Sequence, residues 1–252
     1  VRLADKAAVV TGAAGDIGRA IALELAREGA RVAVSDPSFL AAEDLSDKIK
    51  ARGGKALPVE ADPAVEADMA RLFDQAASSF GRLDIAVHSA ELRRDALLET
   101  MTEAQWAEVL SVQLTGGFHT ARFARPFLAR QGGGRILFVA APAPAGLGEP
   151  GQANFAAANA GLAGLTRALA IELGRYNITV NCLAPDFIET KTTREAARRQ
   201  GLFMDDYKKA VLARIPLRRL GTVEDVARVA VFLASDDAAY VSGQVLYVRG
   251  GP

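Results

Sequence analysis

The feature that most constrains this chain is an alternation. Short apolar runs, several of them almost continuously apolar, are separated by longer segments whose apolar residues recur at helical spacing. The runs are Ala7–Val10, Val32–Val34, Ala56–Val59, Leu83–Val87, Ile136–Val139, Ile178–Leu183 and Val245–Val248. A run with no polar alternate suits a strand covered on both faces. The stripes between them include Ile17, Ile21 and Leu25, then Leu162, Leu165, Leu169 and Leu173, then Val226, Val229 and Leu233. Such alternation from end to end predicts an α/β fold, a doubly wound parallel sheet in one domain over 1–252. A length of 252 residues suffices for one large domain with a substantial core. The Pro-, Ala- and Gly-rich segment 141–151 reads as a loop, and the polar, mixed segment 186–214 as a lid of short helices.

Charge excludes some function classes. Lys plus Arg and Asp plus Glu number 30 each, so nothing overall favours nucleic acid or an anionic membrane as a partner. The single cysteine, Cys182, has no partner for an internal disulfide and reads as a buried apolar thiol. The N-terminal apolar run reads as a strand rather than a targeting segment, and no window reaches the ~18 apolar residues of a membrane span. A soluble, cytoplasmic protein is the expectation.

Directly after the first run comes TGAAGDIGRA, with glycines at 12, 15 and 18. A glycine turn between a strand and a helix lets the backbone approach a pyrophosphate at the helix N-terminus. Asp36, at the end of the second run, stands where a carboxylate accepts from an adenosine ribose hydroxyl of NAD and repels the extra phosphate of NADP. A plainer reading remains open: glycines needed only for tight strand–helix packing, and Asp36 forming a turn before Pro37.

Longer motifs carry a resemblance. TGAAGDIGRAIA, LDIAVHSAELRRDALLETMTEAQW, VLSVQLTGGF, GGGRILFVAA, GQANFAAANAGLAGLTRALAIEL, NITVNCLAPDFIET and DVARVAVFLASDDAAYVSGQVLYVRGG occur in that order. The chain resembles the short-chain dehydrogenase/reductase family, in its branch of 3-ketoacyl-carrier-protein reductases and hydroxyacyl-CoA dehydrogenases. The resemblance implies a Rossmann-type sheet of seven parallel strands with helices on both faces. It also implies catalysis by Asn, Ser, Tyr and Lys. Carried over position by position, these fall on Gln113, on Ala141 (or Pro142, depending on the loop alignment), on Phe155 and on Asn159. Phenylalanine has no proton to give, and losing a general acid typically costs ~10²–10⁴ in rate. Asn159 brings no charge to tune a substitute.

The family's cofactor site is altered as well. Asp16 stands where the turn has its central glycine, and His88-Ser89-Ala90-Glu91 replaces the usual Asn-Asn-Ala-Gly. Two unpaired carboxylates beside a diphosphate would repel it. The expectation is a vestigial site, made of Gly12, Gly15, Gly18, Asp36 and Asp62, with no cofactor in this chain and NAD held by a partner. Asp186 replaces the glycine of the family's Pro-Gly after the sixth strand, and Arg249 replaces the acid of its closing Val-Asp-Gly-Gly.

Other residues admit two readings each. His88, Glu91 and Asp186 would make a new acid/base site in the old cleft, but a histidine ending an apolar strand is more often a hydrogen-bonded core residue. Tyr207 in the lid is either a substitute proton donor or a packing residue. Ser89 and Ser111 lack a nucleophile motif. No metal-ligand spacing exists. Arg93-Arg94, Arg198-Arg199 and Arg218-Arg219 read as solvated faces, or as contacts for an acyl-CoA phosphate. In the helix Gln152–Arg175, the small residues from Ala156 to Gly164 permit close helix approach. In the family this helix and the one bearing Trp106 join subunits.

These readings converge on a non-catalytic subunit of a hetero-oligomer, a heterotetramer, supporting an active homologue that binds an acyl thioester and oxidises it with NAD. A paired dehydrogenase such as that of the benzylsuccinate pathway is the expected type, because Asp36 resembles an NAD-linked ancestor. Two alternatives stand beside it: a repurposed dehydratase or isomerase, and a ligand-sensing homo-oligomer.

Overall fold

A computed structural model describes residues 1–140, 150–191, 193–194 and 203–251, with residue 207 described by its backbone alone. Seven parallel strands form one sheet in the order β3-β2-β1-β4-β5-β6-β7. They are β1 (Ala7–Thr11), β2 (Arg31–Asp36), β3 (Lys55–Glu60), β4 (Ile85–His88), β5 (Gly134–Val139), β6 (Ile178–Pro185) and β7 (Val245–Val248). Each falls on one of the apolar runs. The helices are α1 (Asp16–Arg27), α2 (Phe39–Ala51), α3 (Glu66–Phe80), α4 (Glu103–Leu110), α5 (Gly116–Arg130), α6 (Ala153–Leu173), α7 (Met204–Leu212) and α8 (Val223–Ala234).

Strand alternation divides the core in two. Ala8, Val10, Val32, Val34, Val87, Leu137 and Leu183 pack with Ile21 and Leu25 of α1, Leu45 and Ile49 of α2, and Val226 and Ala230 of α8. Their neighbours Val9, Ala33, Ala86, Ile136, Phe138, Val180 and Cys182 face the other way, onto Leu72 and Phe73 of α3, Leu128 of α5 and Leu162 of α6. The period of two in the strands thus puts helices on both faces, and burial on both sides explains why most of the runs carry no polar alternate; in β6 the alternates Thr179 and Asn181 are polar but buried. Cys182 is buried among these side chains, and desolvation pushes its thiol up to about 12.

Helix boundaries follow local chemistry. Thr102 and Gln105 close a capping box at the start of α4, and Thr222 and Asp225 close another at the start of α8. Arg219 pairs with Asp225 at 2.6 Å and holds its carboxyl down at about 2. Replacing Thr222 by Ala should cost about 1 kcal/mol, the usual value for a lost N-cap hydroxyl, measured by denaturant melts. The expected helix over 152–175 is α6, two residues shorter at its end than the sequence pattern indicates. Of the expected lid, α7 is helical, while 195–202 lie outside the described residues. No described helix is long and apolar enough to cross a membrane.

The strand order reverses between β1 and β4. Register pairs Thr11 with Ser35 on one side and with His88 on the other, so these three residues mark the carboxyl edge of the sheet. A crevice outside the carboxyl ends at such a reversal is where open α/β sheets bind ligands.

Candidate functional site

The glycine turn between β1 and α1 sits at that reversal. Gly12 adopts φ +63°, and a Cβ there would lie 2.5 Å from Ala90 Cα, in the loop leaving β4. A Cβ on Gly18 would lie 2.4 Å from the Gly12 carbonyl oxygen. For these two glycines the packing reading holds. Gly15 differs: its Cβ would meet nothing closer than 3.4 Å, so close packing does not require a glycine there. Gly15 is also the N-cap of α1 and offers no side-chain acceptor to the first turn of amides. An open, uncapped helix N-terminus behind a glycine turn suits a phosphate. Asp36 braces the turn from the side, one carboxylate oxygen accepting from Ala14 N (3.3 Å) and the other from Ser38 N (3.0 Å). Both readings of Asp36 therefore meet: it forms the turn before Pro37 and lies against the glycine loop. Asp62 accepts from Ala64 N in the turn beyond β3.

The two carboxylates expected to repel a diphosphate are engaged elsewhere. Glu91 accepts from Arg93 Nε at 2.9 Å, so a cation accompanies its charge. Asp16 accepts from the backbone N–H of Lys191 at 2.7 Å, which ties α1 to the segment after β6. The premise of two unpaired like charges therefore fails for Glu91, and Asp16 is hydrogen-bonded away from isolation. These residues fit a dinucleotide: a glycine turn, a helix end without a side-chain cap, and a carboxylate at the end of β2.

The inherited catalytic positions lie on α6 and at the junction of α4 and α5. Phe155, only 4 % exposed, packs with Val109, Ala158, Leu92, Leu110 and Leu114. The Arg93 guanidinium lies 3.9 Å from its ring centroid. Asn159, one turn later, is buried and donates its side-chain N–H to the Phe155 carbonyl at 2.7 Å. Gln113 falls within a π-helical turn, Ser111–Thr115, of the kind that often marks functional sites. Its side chain is 3 % exposed, and its Oε1 finds no partner among the described residues. The fourth position, Ala141 or Pro142, lies outside the described residues, as do Arg198 and Arg199 and the side chain of Tyr207.

His88 belongs to the core. It is 0 % exposed, and both ring nitrogens are occupied: Nδ1 with the Thr11 hydroxyl at 2.9 Å and Nε2 with the Gln113 carbonyl at 3.0 Å. A carbonyl only accepts, so Nε2 carries the proton and Nδ1 accepts from Thr11. Burial depresses the imidazole from 6.5 to about 4. The ring is thus neutral in the fold and offers neither face to a substrate, which removes it from any new acid/base site. Below pH 6.5 the unfolded chain takes up a proton that the folded chain refuses. Stability should therefore fall as pH drops from about 6.5 toward 4, and His88→Asn should flatten that part of the profile in denaturant melts at stepped pH.

Two features escaped the sequence reading. The seat of Arg93 on Phe155 joins residues 62 positions apart, and the backbone donor for Asp16 comes from 175 positions away. Neither has a periodic signature. Arg249, standing where the family has an acid, stacks 4.9 Å over Tyr247, and the Asp186 N–H donates to Val248 O beside it.

Comparison with known proteins places this geometry. The family model for enoyl-(acyl carrier protein) reductases matches residues 12–252. The 3-oxoacyl-acyl-carrier-protein reductase of Staphylococcus aureus is 40 % identical over 98 % of this chain and 97 % of its own length. That of Escherichia coli is 37 % identical over 98 % and 96 %. A 7α-hydroxysteroid dehydrogenase, solved with NADH and 7-oxo glycochenodeoxycholic acid, superposes with a TM-score of 0.91 at 34 % identity, covering 99 % of this chain and 95 % of the other. This finding overturns the expectation of a chain without a cofactor. A relative aligned along nearly the whole length holds NADH, and of the two charges on which that expectation rested, that of Glu91 is paired with Arg93 here. With the reversed strand order, the glycine turn at the reversal and relatives of this identity and coverage, the chain belongs to the short-chain dehydrogenase/reductase family of oxidoreductases.

Proposed function

We propose that this chain is a dinucleotide-binding subunit that does not itself transfer protons, within a hetero-oligomeric oxidoreductase acting on ketoacyl or hydroxyacyl thioesters. An active homologue supplies the Tyr and Lys. One observation carries the reading. At the position where the family has its proton donor, Phe155 is buried in an apolar cluster and covered by a guanidinium. The residue is not a lost hydroxyl left facing an open cleft. It is built into the packing.

The residues that would hold a dinucleotide are the Gly12–Gly18 turn, the N-terminus of α1 and Asp36. A nicotinamide group supplies the hydride acceptor or donor when bound. The chain's own residues would bind and orient it: Asp36 and the α1 amides would hold the ribose and phosphates, and Asn159 and Gln113 bring neutral amides to the inherited catalytic positions. No acid of this chain stands at the family's proton-donor position. The thioester substrate class rests on the ketoacyl reductase relatives. Support for assembly comes from Trp106 on α4, Phe118 on α5 and Ile171 on α6, large apolar side chains that remain exposed.

The test is purification of the native complex through a tag on this chain, followed by mass analysis. A stoichiometric homologue retaining Tyr and Lys, with dinucleotide-dependent activity in the same fraction, is the expected result. A homo-oligomer that carries the activity alone would overturn the proposal.

A further inference from the structure

We propose that Arg93, seated on Phe155, is a carboxylate-binding residue, so that the position stripped of its proton donor now serves as the platform of an anion receptor. The inference concerns binding by this chain alone and stands independently of any partner subunit.

Three observations converge on Arg93. Its guanidinium lies 3.9 Å from the Phe155 ring centroid, a cation–π stack on a buried ring. Its Nε donates to Glu91 at 2.9 Å, which sets the orientation of the guanidinium plane. Its two Nη groups have no partner among the described residues, and the side chain is 25 % exposed. The neighbouring Arg94 shows the contrast: its Nε is paired with Glu108 at 2.8 Å and its Nη1 with the Arg93 carbonyl. The backbone beneath is fixed too. Asn154 at the start of α6 donates to the Arg94 carbonyl at 3.0 Å, and Ala96 N donates to the Gly151 carbonyl at 2.9 Å.

A guanidinium held in one plane from below and from one side has already lost the freedom that a flexible arginine loses on binding. What it presents is the edge between its two Nη groups, two parallel donors that match the two oxygens of a carboxylate. The flat pair of donors matches the two coplanar oxygens of one carboxylate better than the tetrahedral oxygens of phosphate. The ligand class is therefore a carboxylate, free or carried on a larger acyl compound.

The test uses the whole chain and ¹³C-labelled succinate, with line broadening read against concentration. Succinamide and inorganic phosphate serve as the neutral and tetrahedral comparisons. Saturable succinate binding is expected, with a dissociation constant on the order of 1 mM for a single charge-assisted pair. Succinamide should not compete. Arg93→Gln should weaken binding by about tenfold or more, as for a lost hydrogen bond to a charged group. The paired change Glu91→Gln with Arg93→Gln, which leaves no unmatched charge, should behave alike while melting as the unmodified chain does. Phe155→Tyr keeps the platform and should retain binding. Phe155→Leu removes the ring and should weaken binding by about threefold. Three results would overturn the proposal: no saturation by succinate, saturation indifferent to Arg93→Gln, or tighter binding of phosphate than of succinate. None depends on a homologous partner, so failure here and failure of the subunit reading are separable.

Discussion

Given NADH and a 3-ketoacyl thioester, the isolated chain should turn over at least ~10²–10⁴-fold more slowly than a family member with Tyr and Lys in place. The factor is that of a missing general acid, since Phe155 carries no exchangeable proton and Asn159 no charge. Its environment argues against rescue by water. The ring is buried among Val109, Leu114 and Leu110 and lies beneath Arg93, which leaves little room for a solvent molecule to stand in for the hydroxyl. His88 offers no substitute, being neutral and doubly bonded in the core. Phe155→Tyr with Asn159→Lys should recover only part of the loss, because Gln113 and Ala141 remain and such groups work as a unit. Absorbance of NADH with time is the measurement, and turnover within tenfold of an active relative would refute the assignment of Phe155.

Gly12→Ala should produce the largest structural effect. The residue sits at φ +63°, where a side chain costs roughly 1–2 kcal/mol, and its Cβ would lie 2.5 Å from Ala90 Cα and 2.6 Å from Ala90 N. Backbone does not yield as a side-chain tip does, so the loops leaving β1 and β4 must separate. A total of about 2–4 kcal/mol is expected, or a fall in Tm of roughly 4–16 °C for a chain of this size. Dinucleotide binding should be lost with it. Gly15→Ala is the matched control: its Cβ would make only an ordinary contact, 3.4 Å from the Gly12 carbonyl oxygen, so the loss of stability should stay within about 1 kcal/mol while affinity for the dinucleotide falls. The pair separates glycine as a packing residue from glycine as a cradle.

Sheet and helices were legible because burial on both faces leaves a trace in composition. Runs such as Val32–Val34 and Ile136–Val139 mark strands that lie between helix layers, and Leu162 to Leu173 marks the buried stripe of α6. The changed residues at 113, 155 and 159 were legible through the resemblance, position by position. The partners of the carboxylates were not. Glu91 and Asp16 read as obstacles to a diphosphate until their partners, Arg93 and the Lys191 amide, came into view. One pairing depends on the path of a loop and the other on where a distant segment crosses α1, and neither leaves a periodic pattern. The π-helical turn that holds Gln113 was equally silent, since a single inserted residue shifts the helical register without altering composition.

The central claim is that the dinucleotide site persists while the proton donor is gone. Titrating NADH into the isolated chain, read by nicotinamide fluorescence, tests it most directly. Saturable binding that Gly15→Ala weakens, with no NADH consumed when a 3-ketoacyl thioester is added, is the predicted result. Absence of saturable binding, or consumption of NADH by the chain alone, would contradict it.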